Sequence, residues 1–344
     1  MIDSILKEAV LQRDYIGNTA ISTIYFGGGT PSIVPPAWIA ALIDCIRQTY
    51  SVDDTAEITL EANPDDINEA TLNGWQAAGV NRLSIGVQSF VQKDLEWMNR
   101  AHSAEEAYKA VQLATKAGMH NMSLDLIYGT PFLSDSDWQD NLQKAADLGV
   151  PHLSAYALTV EPRTALFKMI EKGKIPQVDT TKQARHFNML MDFAATQGFE
   201  HYEISNLARP GQRSRHNSSY WKGISYLGLG PAAHSFDGKN ARKWNIENNQ
   251  LYIQGITKGD NVSTTELLSE DNQINEMIMI QLRLMEGLDL HQFSERFGAI
   301  ATKALQQKAQ PAINKGQLTI AAEHLILTRS GKHFADSTAV DLFV

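Results

Sequence analysis

Three observations in this sequence predict an α/β fold built on parallel strands. Between residues 22 and 158, short β-rich runs alternate with amphipathic helical stretches, the rhythm of successive βα units. The residues that follow those runs are polar and varied, and parallel βα folds place their ligand clefts at that end of the strands. Beyond about residue 267 the pattern turns mainly helical, which marks off a smaller second domain.

Taken in order, the chain opens on a helical face of Ile2, Ile5, Leu6 and Val10 with no strand before it, so the βα series is entered at its first helix. STIYF (22–26) is the first strand, and EITLE (57–61), RLSIGV (82–87), NMSLDLI (121–127) and HLSAYAL (152–158) follow. Helical patterns such as AWIAALIDCIRQTY and SAEEAYKAVQLATKAG separate them. This spacing suits a barrel or a doubly wound sheet. A sixth run, HYEIS (201–205), comes after a charged connector (161–180) and a helix over 182–197, and a barrel would close there. INEMIMIQLRLMEG and LHQFSERFG then read as helices, and LTIAAEHLILTRSGKHFAD as a β-hairpin.

At 344 residues, 43% hydrophobic and 20% charged, the chain can bury a large α/β core and a smaller second one. No apolar run approaches the ~18 residues that cross a bilayer. Asp3, Lys7 and Glu8 stand where a signal peptide would be apolar, so the cytoplasm is the expected compartment. A net charge of −9 gives no overall field to draw the protein to nucleic acid, which is excluded as an expected partner. The single cysteine, Cys45, excludes an internal disulfide and any metal site built from two or more cysteines of these residues. It lies among Ile39, Leu42, Ile43 and Ile46 of a helical stretch and reads as a packing residue.

The strand ends carry the candidate chemistry. Strand one runs into Gly27, Gly28, Gly29, Thr30 and Pro31, and strand two ends at Glu61 and Asn63. The third leads to Gln88 and Ser89, and the fourth carries Asp125. Three glycines let a ligand approach bare backbone N–H groups, although a tight strand-to-helix turn accounts for them equally. Glu61, Gln88 and Asp125 could each cap a loop, but their coincidence at one rim favours binding. Backbone donors, two carboxylates and an amide suit a zwitterionic or hydroxyl-rich ligand.

YFGGGTPS, EITLEANP, AGVNRLSIGVQSF, NRAH and DLIYGTP occur in that order over residues 25–131. In order and spacing they resemble the HemW-type haem chaperones, relatives of the radical-SAM coproporphyrinogen III dehydrogenases. The resemblance implies a partial (β/α) radical-SAM-type barrel of parallel strands missing its first strand, with a small, mainly helical C-terminal domain ending in a hairpin. It implies that Gly28, Gly29, Thr30, Glu61, Gln88, Arg100 and Asp125 contact S-adenosylmethionine. Arg100 rests on the resemblance alone, since it falls in a charged helical stretch where a solvated arginine is the ordinary reading. RHNSSYW (215–221) and YLGLGPAAHS (226–235) resemble the HNxxYW and GxGxxAH segments that separate the chaperones from the oxidising enzymes. His216 and Tyr220 are thereby candidates for contact with haem, and Trp221 for packing. The implied organisation is a barrel core (1–210), an extension carrying HNxxYW (211–262) and a helical end domain (263–344). The implied partners are haem and a recipient haemoprotein at the membrane.

Members with radical chemistry carry CxxxCxxC after their first strand, because three thiolates hold a [4Fe–4S] cluster while S-adenosylmethionine takes its fourth iron. These residues contain no such motif, and no radical chemistry is expected of them. Two explanations stand: a record that starts at an internal methionine of a longer protein, or a shortened paralogue without the cluster. The first is favoured, because losing the first strand would expose a sheet edge and the cleft residues are retained. The expected function is a haem chaperone, with S-adenosylmethionine and the cluster in the complete protein. The alternatives are an oxygen-independent coproporphyrinogen III oxidase in porphyrin biosynthesis and a degenerate cluster-free paralogue.

Overall fold

The computed structural model of the chain describes residues 1–344 except Arg163 and Lys174, which fall in the charged connector. Five strands form where the β-rich runs lie: β1 (Ile21–Phe26), β2 (Val52–Ala62), β3 (Arg82–Gln88), β4 (Met122–Tyr128) and β5 (His152–Ala157). The helices of this half are α1 (Ile2–Leu11), α2 (Pro36–Thr49), α3 (Glu69–Ala78), α4 (Gln92–Trp97), α5 (Ala104–Lys116), α6 (Asp135–Asp147), α7 (Ala165–Glu171) and α8 (Thr180–Gln197). Capping boxes on Asn68, Ser103 and Ser134 start α3, α5 and α6, which fixes where the preceding strand-end loops stop.

The seven-stranded sheet has the order β1-β2-β3-β4-β5-β7-β6, with β2 to β5 paired in parallel. The HYEIS run does not close a barrel. Its first three residues belong to β6 (Glu200–Glu203), Ile204 and Ser205 form a turn, and β7 (Asn206–Ala208) follows, making an antiparallel hairpin whose second strand pairs antiparallel with β5. The turn is held by Glu203, whose Oε2 accepts from Ser205 N at 3.0 Å and Asn206 Nδ2 at 2.6 Å. The result is an open, partial barrel.

The register puts Glu61 beside Ser84, Ser84 beside Ser123, and Asp125 beside Ser154. One face of the sheet is therefore polar, with Thr59, Glu61, Arg82, Ser84, Ser123, Asp125, His152 and Ser154. The other presents Leu60, Leu83, Ile85, Leu124, Leu126 and Leu153, all fully buried. A parallel sheet covered on both faces runs apolar on both, so the alternation marks this inner face as a polar lumen. Its lower end is sealed. Arg82, 2% exposed, donates from Nη1 to Asn121 Oδ1 at 2.6 Å and from Nη2 to Ser123 Oγ, with Glu57 as countercharge. His152 Nε2 meets Tyr202 Oη at 2.7 Å, and burial keeps that imidazole neutral, far below its usual range.

The chain divides into two compact units: Ile24–Ala37 with Glu57–Ser214, which holds this lumen, and Met1–Thr23 with Trp38–Ala56 and Arg215–Val344. The second contains α9 (Arg215–Trp221) and an antiparallel sheet of β8 (His234–Phe236), β9 (Ala241–Asn245) and β10 (Ser263–Leu267), ordered β10-β9-β8. It continues with α10 (Asn249–Lys258), α11 (Glu270–Gln281) and α12 (Leu290–Asn314, broken at Gly298). A small sheet of β11 (Leu288–Asp289), β12 (Leu318–Ala321) and β13 (His324–Leu327) and a last helix, α13 (Ala335–Asp341), complete it. The expected hairpin is β12–β13, turned by Ala322 and Glu323 at positive φ, but α13 follows it, so the hairpin is not the last element. Among the described residues no helix is long and apolar enough to cross a membrane.

α1 departs from its apolar pattern. It buries Ser4, Glu8 and Ala9, while Val10 is 49% exposed. Glu8 decides this orientation, because its carboxylate accepts from Gly230 N (2.8 Å), Asn245 Nδ2 (2.7 Å) and Tyr252 Oη (2.6 Å). The YLGLGPAAHS segment is shaped for that anchor. A Cβ on Gly228 would lie 2.1 Å from the His234 carbonyl oxygen, and Gly230 has φ +107°.

Candidate functional site

At the C-terminal ends of β2, β3 and β4 the polar face opens into a cleft of about 180 Å³. Six of the residues singled out from the sequence line it: Gly29, Thr30, Glu61, Gln88, Arg100 and Asp125. Gly28 adjoins it, but its N–H is already used, donating to Glu61 Oε2 at 3.1 Å. Glu61 Oε1 accepts from Tyr25 Oη at 2.7 Å, so this carboxylate ties β2 to the end of β1 and holds the glycine loop open. Burial, then the Glu61 charge, raises the Tyr25 phenol far above its ordinary range, so it stays a donor. Gly28 (φ +78°) and Gly29 (φ +67°) take backbone conformations that disfavour side chains, and no atom lies within 4 Å of where their Cβ atoms would be. The loop is thus a bare rim with open space above it.

Asp125 sits on the floor, accepting from Ser84 Oγ at 3.3 Å. Burial, opposed by the Ser154 hydrogen bond and assisted by the nearby Glu61 charge, pushes its carboxyl up to about 7. The sign follows directly: a carboxyl whose folded value lies above its unfolded one favours the protonated native state, and that contribution is lost as pH rises from about 4 through 7. Asp125→Asn is therefore expected to raise thermal stability at pH 8, by about 1–2 kcal/mol after allowance for the solvent side of the cleft, and to leave it unchanged at pH 4. Melting curves at the two pH values check this; a loss of stability at pH 8 would contradict it.

Arg100 does not lie in a helix. It follows α4 through Asn99, at φ +54°, and turns into the cleft, where Nη2 donates to Asn63 Oδ1 at 2.8 Å and the Gly86 carbonyl at 3.4 Å. Its Nε is buried and makes no hydrogen bond among the described residues. Gln88 also has positive φ (64°), at an irregularity in the β3–β4 pairing, and this turns its amide toward the same space. A Cβ on Gly86 would stand 2.9 Å from Gln88 Nε2, so glycine there makes room for the amide. Asn63, at the end of β2, was expected there, whereas Ser84 and Gly86 were not singled out from the sequence. Their signal was the two-residue alternation Arg82, Ser84, Gly86, Gln88 along β3, a polar row opposite an apolar one.

His216 and Tyr220 lie in the other unit, four residues apart on α9 and so on one face of it. His216 Nδ1 meets Thr23 Oγ1 at 3.1 Å, and its ring packs edge-on against Tyr220, with centroids 4.9 Å apart. Tyr220 in turn packs on Tyr226 at 4.7 Å and remains 38% exposed.

The sequence profile of the Radical SAM superfamily matches residues 3–145, and that of the HemN C-terminal domain matches residues 268–334. The haem chaperone HemW of Mycobacterium tuberculosis is 35% identical over 319 residues, covering 92% of this chain and 79% of the relative. HemW of Bacillus subtilis is 31% identical, with 92% and 84% covered. The chain belongs to the HemW family. The fold is that of coproporphyrinogen III oxidase from Escherichia coli, which superposes with a TM-score of 0.83 at 21% identity over 99% of this chain and 82% of that one.

The superfamily's [4Fe–4S] cluster does not fit the residues present. Cys45, on α2 with Sγ 3.7 Å from the Leu6 carbonyl oxygen, packs as expected and is the only thiol in the sequence. Among the described residues no group of three or more His, Cys, Asp or Glu side chains is placed to hold a metal ion. Thiolates for a cluster would have to come from outside these 344 residues.

Proposed function

We propose that the chain is a haem-binding chaperone that holds S-adenosylmethionine in the strand-end cleft and haem against α9. The observation that carries this reading is α9 itself. The segment that resembles HNxxYW folds as one helical face presenting His216 and Tyr220, in a chain whose relatives are named haem chaperones. An imidazole oriented through Nδ1 is a common ligand for haem iron through Nε2, and the Thr23 contact supplies such an orientation.

The cleft supports the nucleotide on three grounds: bare glycine backbone at the rim, two carboxylates in the lining and an inward-turned guanidinium. Glu61 and Asp125 would accept from an ammonium and ribose hydroxyls, and Arg100 would hold the carboxylate. Bound there, S-adenosylmethionine supplies a sulfonium with adenosyl and amino-acid arms; these residues hold the arms and exclude water. Because Asp125 accepts hydrogen bonds best when ionised, affinity for S-adenosylmethionine should rise about tenfold between pH 6 and pH 8, and Asp125→Asn should flatten the rise. Isothermal titration at both pH values checks it; an affinity independent of pH in the unaltered chain would remove Asp125 from this role.

The function is tested by giving the haem-loaded protein an apo-haemoprotein and, separately, giving the unloaded protein coproporphyrinogen III and S-adenosylmethionine under anaerobic conditions. Transfer of haem without conversion of the porphyrinogen is expected. Conversion by these 344 residues would establish the oxidase reading instead.

A further inference from the structure

The unit that carries α9 contains a second cleft, of about 160 Å³, beneath Tyr220 and Trp221. Its walls are of two kinds. Tyr226, Phe236, Met277 and Ile280 join those two aromatics in an apolar surface, and the mouth is set with four cations: Lys222, Lys239, Arg242 and Arg296. The one acidic residue of the lining, Glu276, is paired with Arg242 at 2.7 Å. Lys222, Lys239 and Arg296 make no ion pair among the described residues, and Arg296 Nη2 is held by Gln273 Oε1 at 3.0 Å and the Lys239 carbonyl at 3.3 Å. In a chain of net charge −9, four cations against the single carboxylate of the lining, Glu276, which acts on both Arg242 and Arg296, leave an excess of positive charge around an aromatic cleft and call for an anion with an apolar body.

From this geometry we infer that the cleft takes the carboxylate-bearing edge of a porphyrin: the propionates meet Arg296 and Lys239, and the ring edge lies on Tyr220 and Trp221. This deepens the haem reading and rests on it. The cleft is too small for a whole macrocycle and needs only its edge, while Tyr220 joins it to His216 through the 4.9 Å ring contact one helical turn away. Iron ligation and propionate capture then act on one molecule from adjacent surfaces of the same unit. The arrangement also suits release, since both cations are exposed and their pairs with propionates would be weak individually and screened by salt.

The test uses the full chain, haem and haem dimethyl ester in the same detergent, followed by Soret absorbance. The diester should bind about fivefold or more weakly than haem at low salt, and the double variant Lys239→Ala, Arg296→Ala should bind both equally while keeping its circular dichroism spectrum and melting temperature. Haem affinity of the unaltered chain should fall with added salt and that of the double variant should not. Equal affinity of the unaltered chain for haem and diester would overturn the cleft assignment and leave haem binding at His216 standing. Absence of any Soret change with either compound would overturn both.

Discussion

Arg82→Met should destabilise the unit that holds the polar lumen by about 3–5 kcal/mol, and lower its melting temperature by on the order of 10 °C. The side chain is 2% exposed and faces into the lower lumen, donating to Asn121 Oδ1 and Ser123 Oγ. Methionine fills similar space, so packing changes little; what is lost is a buried cation that interacts with Glu57 and donates to Asn121 and Ser123 in a region water does not reach. Replacing both members of a buried charge set is much less damaging than replacing one. Arg82→Met with Glu57→Gln should therefore recover most of the loss, a coupling that a double-mutant cycle in urea would measure. Additive effects of the two substitutions would show that the pair does not interact and that the lower lumen is held by packing alone.

Glu8→Leu is expected to cost a similar amount, about 3–5 kcal/mol, in the other unit. Three buried donors, Gly230 N, Asn245 Nδ2 and Tyr252 Oη, converge on this carboxylate, and leucine would leave all three without it. Hydrogen exchange localises the effect. Protection of the Gly230 amide should fall before that of the amides of β4, which lies in the separate unit. Glu8→Gln keeps one acceptor oxygen and should lose less. A Glu8→Leu protein as stable as the unaltered chain would mean that α1 is held by its apolar residues after all.

These two residues also show where reading the sequence stops. The parallel strands β2 to β5 are evident from periodicity because each presents a row of buried apolar residues to one side, such as Ile58, Leu60 and Ala62 of β2, and rows of that kind dominate any residue pattern. The HYEIS hairpin is not, because a two-residue turn stabilised by the Glu203 side chain leaves no break in a β-rich run. α1 misleads for the opposite reason: three specific hydrogen bonds to one glutamate outweigh four scattered apolar residues in setting which face is buried. In the cleft, Glu61 and Asp125 can be found from their position at strand ends, whereas Arg100 cannot. It arrives by a loop reversal at Asn99 that depends on left-handed backbone at one residue, and no local pattern reports that. The cationic cleft below Tyr220 is drawn from four stretches between residues 220 and 296, and no single segment of the sequence displays it.

Haem binding at α9 is tested most directly by a Soret titration of the full chain and of His216→Ala under identical conditions. Thr23 and Tyr220 hold the imidazole in a fixed orientation on a half-buried helix, so the substitution should leave the fold intact. The expected result is a saturable Soret shift in the unaltered chain that weakens on the order of tenfold or more, or changes in position, in His216→Ala. Identical shift and affinity in both proteins would contradict a haem site on this face.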